Sequence, residues 1–290
     1  MSMDAAFRDH LLRGEEMGSR YAIAIPEASL TGLTGQQVGR QVGTSIDFQD
    51  YREYEPGDDL RTIDWNVYAR TDKLTIKLFR EEVNPHVDLI FDSSQSMNLG
   101  DTEKGSRALQ LAALLAGAAE NAKCTHALWL AGEGFRRGEN DNLRPSAWDG
   151  IDFESKRSIE ESFAILPPRL RRAGIRILIS DLFWPGNPVT TMRQITEGAA
   201  ATFVIQMVAE ADITPPEHGN IHLIDSESGE TLEMFIDSMV EQRYRQALKQ
   251  HQEGWYDACR RTGAKFVTIV AEEFDEMLPR LQEIELLIPA

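Results

Sequence analysis

Positive charge is what this chain lacks most. Thirty lysines and arginines stand against 47 aspartates and glutamates, a formal net charge of −17 over 290 residues, and no segment forms a basic block. A nucleic-acid surface needs a cationic footprint and an anionic lipid surface selects the same sign, so both classes of partner are set aside. Cysteine is nearly absent too. Cys124 and Cys259 lie far apart with no metal-ligand spacing, so two reduced, buried thiols are expected rather than a disulfide framework or a zinc centre. A chain of this length buries about three-quarters of its unfolded surface and needs no such staple. Long apolar runs are missing: the longest, Leu111 to Ala119, is about half of the ~20 residues that span a bilayer. The opening MSMDAAFRDHLLRGEEMG has acids where a leader would have its apolar stretch. The expectation is a cytoplasmic protein with no direct membrane insertion.

Several catalytic signatures are absent as well. No Gly-x-Ser-x-Gly elbow occurs. Residues 100–106 read GDTEKGS, but a phosphate loop needs Lys-Ser/Thr directly after its second glycine, where Ser106-Arg107 stands. That segment is read as a solvent-exposed helix start. His218 and His222 are four apart, yet Gly219-Asn220 between them opposes the helix that would align them on zinc, and a surface loop is expected.

What is present is a change of texture near residue 85. Residues 4–17 suit a short amphipathic helix, followed by the Gly- and Thr-rich SLTGLTGQQVGRQVGTS, the turn Glu55-Pro56-Gly57-Asp58, and the strict alternation of Lys73 to Leu78, which predicts a half-buried strand. From residue 86 strands alternate with helices. Strands are expected at 87–91, 126–131, 175–179, 201–208 and 264–270, and helices at 104–122, 156–172 and 237–261 with a terminal helix around Met277. The fold class expected is α/β: a doubly wound, mainly parallel sheet over 86–290, with a β-rich N-terminal extension over 1–85 packed on it.

In such sheets ligands bind beyond the carboxyl ends of the strands. Two strand ends carry chemistry there: Asp92-Ser93-Ser94-Gln95-Ser96 after the first, and Ser180-Asp181 after a later one. One carboxylate and two hydroxyls in one loop, joined by a second acid, are hard oxygen donors suited to Mg²⁺. A turn with a helix cap is the plainer reading of the same loop.

The apolar strand, Asp-x-Ser-x-Ser loop, buried helix and later Ser-Asp strand end resemble the von Willebrand factor A fold and its metal-ion-dependent adhesion site. Asp47-Phe48, Tyr51 to Arg61 (YREYEPGDDLR), Ile63-Asp64-Trp65, Ala69-Arg70-Thr71 and Lys77 to Glu82 (KLFREE) look like the signature of the bacterial family called domain of unknown function 58. Its members carry a von Willebrand A-like domain and are commonly encoded beside MoxR-type AAA ATPases. The resemblance spans essentially the whole chain. It implies that Asp92, Ser94 and Ser96 ligate Mg²⁺ and that Asp181 is the acid of the distal loop. The adhesion pattern also has a threonine from an intermediate loop. None stands before the 156–172 helix, where Ser155 and Ser158 are the nearest hydroxyls, and Ser158 is the one chosen. The function implied is a non-enzymatic adaptor or co-chaperone that works with a MoxR-type ATPase on client proteins. The alternative is a metal-dependent phosphatase of haloacid-dehalogenase type with Asp92 as nucleophile. It is disfavoured because Ser94 stands where that chemistry needs a second acid to donate a proton.

Overall fold

The structure is a computed structural model that describes residues 5–26, 47–55, 58, 60–80, 85–100, 102–214, 218–225 and 229–290. The whole Gly- and Thr-rich stretch, with Pro56 and Gly57 of the expected turn, lies outside them. The chain divides into two compact units, one of Met1–Ser29 with Pro85–Ala290 and the other of Leu30–Asn84. Helix α1 (Ala5–Gly18) and strand β1 (Tyr21–Ile23) therefore belong with the larger unit, although the sequence placed them in an extension ending at residue 85.

The smaller unit holds β2 (Asp47–Glu53), α2 (Trp65–Thr71) and β3 (Thr75–Arg80). β2 and β3 pair antiparallel, with an irregularity between Phe48 and Asp50. α2 starts where the Asp64 carboxylate accepts from Asn66 N and Val67 N at 2.9 and 3.2 Å, which satisfies two amides that have no partner in the first helical turn. Its Trp65 ring meets Tyr68 edge-on at 6.1 Å.

The larger unit continues with β4 (His86–Asp92), α3 (Lys104–Asn121), β5 (Thr125–Gly132), β6 (Gly134–Arg137), α4 (Ile159–Ile165), β7 (Ile175–Ser180), α5 (Pro188–Thr196), β8 (Ala201–Val208) and α6 (Glu210–Ile213). After these come β9 (Gly219–Ile224), β10 (Thr231–Ile236), α7 (Ser238–Thr262), β11 (Lys265–Val270), α8 (Met277–Glu283) and β12 (Leu287–Pro289). Six strands form the central sheet in the order β11-β8-β7-β4-β5-β6, all neighbours parallel except the antiparallel edge β6. The protein is thus a mixed α/β chain around a mainly parallel sheet. β4 shows why both faces are covered. Val87, Leu89 and Phe91 enter one core with Leu11 of α1 and the alanine- and leucine-rich α3, while Ile90 enters the other with Phe163, Trp184 and Trp255. Strands buried on both faces read as continuous apolar runs, as Ile175 to Ile179 does apart from Arg176.

Two expectations change. The helix expected over 156–172 is only Ile159–Ile165, because Pro167 and Pro168 supply no amide hydrogen and push the residue before them out of helical geometry. Of the histidine pair, His218 lies in a bend before β9, as the loop reading has it, and meets Glu241, whereas His222 lies in β9, paired with β10, with its Nδ1 3.4 Å from Glu233. Cys124 and Cys259 are free and buried, as the scarcity of cysteine suggested.

Candidate functional site

The sheet order reverses between β4 and β7. β5 and β6 are added on one side of β4, and β7, β8 and β11 on the other. Loops leaving the strand ends diverge at such a point and open a crevice. Asp92 ends β4 and Asp181 follows β7, with Phe91 opposite Ile179, so the two acids leave neighbouring parallel strands at the same end of the sheet.

Asp92 is 2% exposed and both its oxygens are engaged. Oδ1 accepts from Ser94 N at 3.0 Å and Oδ2 from Ser180 Oγ at 2.5 Å, while Ser180 Oγ itself accepts from Leu182 N at 2.9 Å. Burial, with the nearby Asp181 charge adding to it, raises the Asp92 carboxyl to about 6, against the lowering effect of the Ser180 and Ser94 hydrogen bonds. The Ser180 and Ser94 hydrogen bonds thus offset only part of what burial and the Asp181 charge cost the Asp92 carboxylate. Ser93 is turned away, its hydroxyl donating to Ala131 O.

Ser94 Oγ and Ser96 Oγ lie 3.0 Å apart. Two ligands about 2.1 Å from Mg²⁺ and at right angles are separated by about 3.0 Å, so this hydroxyl pair matches one edge of an octahedral shell. A 3.0 Å separation is equally a hydrogen bond between the two hydroxyls, and with the Asp92 carboxylate the loop offers the types of oxygen donor that a hard divalent cation takes. Among the described residues no group of three or more His, Cys, Asp or Glu could hold a metal.

Ser158 is not part of this cluster. It caps α4, accepting from Glu161 N at 3.2 Å while Glu161 accepts from Ser158 N at 2.9 Å, a reciprocal box that uses its hydroxyl. Ser155 is the residue of that loop next to the Asp-x-Ser-x-Ser turn. Its carbonyl accepts from Gln95 N at 2.9 Å and its amide donates to Ser93 O at 3.2 Å.

Asp181 has a partner that the sequence did not suggest. Lys104, the first residue of α3, is 1% exposed rather than solvent-facing. Its Nζ donates to Asp181 Oδ2 at 3.0 Å and to Asp212 Oδ2 of α6 at 2.9 Å. Burial pushes the ammonium toward neutrality, but Asp181 and Asp212 outweigh it together and hold the group above the usual lysine range. The other Asp181 oxygen accepts from Phe183 N at 3.0 Å, and its carbonyl accepts from Gln206 Nε2 at 3.0 Å. Asp92, Ser94 and Ser96 thus share one loop and Asp181 leaves the neighbouring strand end, with Ser180 bonded to Asp92 and with Lys104 and Asp212 beside Asp181. No signal in the sequence pointed to Lys104, whose partners lie 77 and 108 residues further along the chain.

Residues 50–254, more than two thirds of the chain, match the family described as Protein of unknown function DUF58. The uncharacterized proteins Mb1516 of Mycobacterium bovis and Rv1480 of Mycobacterium tuberculosis are each 27% identical to this chain over 285 residues, covering 89% of it and 87% of their own length. Among solved structures, the conserved hypothetical protein BatB from Bacteroides thetaiotaomicron aligns with 13% identity and a TM-score of 0.39, over 69% of this chain and 98% of that one. An aerotolerance-related membrane protein from Bacteroides fragilis, carrying multiple mutations to serines, aligns with 13% identity and a TM-score of 0.36, over 69% and 100%. Among the described residues of the present chain, no helix is long and apolar enough to cross a membrane.

Proposed function

We propose, from the premise that the chain belongs to the DUF58 family, that it is a non-enzymatic protein-binding adaptor or co-chaperone built on a von Willebrand factor A-like domain. The observation that carries this reading is the placing of Asp92, Ser94 and Ser96 at the switch point of the sheet, with Asp181 on the adjacent strand end. Numbered by themselves along the chain, the six strands run 3-2-1-4-5-6, an order shared with dinucleotide-binding sheets. Those sheets carry a glycine-rich phosphate loop after their first strand, and this chain carries Asp-Ser-Ser-Gln-Ser instead. The site is thus suited to a cation rather than to a pyrophosphate.

Asp92, Ser94 and Ser96 would hold Mg²⁺. When bound, the ion would supply a local positive charge that a carboxylate from another protein could meet. The chain's own residues do the positioning. Ser180 and the Ser94 amide orient Asp92, and Lys104 and the Phe183 amide orient Asp181. No acid stands beside Asp92 as a proton donor two residues on, where Ser94 lies, so the reading is a binding site and not a phosphatase. The partner implied by the family resemblance is a MoxR-type AAA ATPase with its client proteins, in the cytoplasm.

The test is co-purification of the full chain with a MoxR-type ATPase from a genome that encodes both, alongside calorimetric titration of the chain alone with Mn²⁺. Asp92→Ala is expected to abolish the Mn²⁺ signal, and Asp92→Ala or EDTA to abolish capture. Capture that survives both would overturn the metal-bridged reading, and phosphoester hydrolysis lost in Asp92→Asn would replace it with the enzyme.

A further inference from the structure

The ammonium of Lys104 lies among the acids of this site, where the function proposed above uses it only to orient Asp181. A lysine is among the least buried of residues and is retained in an interior only with charged partners. Lys104 has two, at 2.9 and 3.0 Å, drawn from two separate segments of the chain, and its Nζ also lies 5.8 Å from the centroid of the Phe183 ring. It opens α3, where the aligned peptide dipoles work against a cation, so it is not there for the helix. Nor is the ammonium's anchor free to withdraw. A Cβ on the neighbouring Gly105 would come within 2.9 Å of Met97 O and Asn98 Oδ1, so the first turn of α3 is pressed onto the residues that directly follow the Asp-x-Ser-x-Ser loop.

Asp181 is correspondingly fixed. Its two carboxylate oxygens take Lys104 Nζ and Phe183 N, and its carbonyl takes the Gln206 amide. For Asp181 to touch a metal ion through Oδ2, that oxygen would serve two cations at once, and their repulsion in a site shielded from water is large. Asp212 is held in the same way, its Oδ2 also accepting from Ala209 N at 2.8 Å.

We infer that Lys104 is the resident counter-cation of the site: it holds Asp181 and Asp212 away from any divalent ion, so that an ion binds through Asp92, Ser94 and Ser96 alone and less tightly than the assembled acids would allow. The inference rests on the metal-site reading above and adds what sets the affinity. The site is tuned by a fixed lysine toward weak, exchangeable binding.

Removing the ammonium should therefore strengthen metal binding, the opposite of what loss of a merely structural lysine would do. The experiment is calorimetric titration of the full chain with MnCl₂ and MgCl₂, with the melting temperature measured with and without Mn²⁺. Lys104→Met is expected to bind Mn²⁺ at least about tenfold more tightly than the wild type. Mn²⁺ should raise its melting temperature by more than that of the wild type, while Lys104→Arg behaves as the wild type. Lys104→Met/Asp181→Asn should lose the gain. If Lys104→Met does not fold without metal, Lys104→Met/Asp212→Asn leaves only one acid without a partner, and the same tightening is expected there. A wild type that binds Mn²⁺ through Asp92, with lysine-free variants that bind no tighter, overturns the inference and leaves the site reading intact. Absence of binding in the wild type and in the lysine-free variants alike removes both.

Discussion

Ser158 and the two cysteines show what single side chains contribute away from the switch point. The Ser158 hydroxyl caps α4 through Glu161 N, and an N-cap serine is worth about 1 kcal/mol over alanine. Ser158→Ala is expected to lower stability by about that amount in chemical denaturation and to leave Mn²⁺ affinity unchanged; weakened binding would return the residue to the site. Cys124 and Cys259 are buried, and burial raises their thiols to about 11 and about 12. Since the thiolate is the nucleophile, a raised value means less reactive sulfur at any pH below it. At pH 8 a thiol reagent should label neither cysteine in the folded protein and both in denaturant; rapid labelling of the native state would show that the protein opens locally. The legibility of the site has the same residue-level logic. Asp92, Ser94 and Ser96 could be found because their relation is a spacing within five residues. Lys104 could not, because its partners lie 77 and 108 positions further along and only the folded sheet brings them to it.

Among the elements, α1 and α3 meet more closely than side chains would permit. A Cβ on Gly14 would lie 2.2 Å from Gln110 O, and one on Gly18 2.5 Å from Leu114 O, so the helices approach backbone to backbone. Alanine is better than glycine inside a helix by about 1 kcal/mol, but forcing extra atoms into a packed contact costs about 1–3 kcal/mol. A backbone oxygen cannot swing aside, so the clash wins. Gly14→Ala should lower stability by about 1–2 kcal/mol, whereas Gly254→Ala in α7, where nothing lies within 4 Å of the new atom, should raise it by up to about 1 kcal/mol. Denaturant melts of the two variants check the pair, and equal effects of one sign would show that helix propensity alone decides. The parallel strands of the core were legible because burial on both faces makes apolar runs. The β9–β10 hairpin was not: Asn220 to Leu223 and Thr231 to Met234 alternate polar and apolar over only four residues each, and Ile224, Leu232 and Phe235 remain more than half exposed.

For the molecule as a whole, the governing quantity is the net charge of −17. An adaptor so acidic repels an acidic partner at long range, and a bound ion would reverse that field only locally, where the carboxylate must arrive. The two contributions respond differently to salt. Repulsion between solvent-exposed charges is screened beyond about 10 Å at 0.1 M ionic strength, whereas contacts inside a water-poor crevice are screened far less. Raising NaCl should therefore leave binding to an acidic partner unchanged or slightly strengthen it, while EDTA abolishes it. Simple charge pairing predicts the reverse, a steady loss of affinity with salt. Titrating capture of the partner against NaCl, with and without EDTA, separates the two. A steep loss with salt that EDTA does not alter would move recognition away from Asp92 to basic residues elsewhere on the surface, and would leave the acids at the switch point as structure held by Lys104.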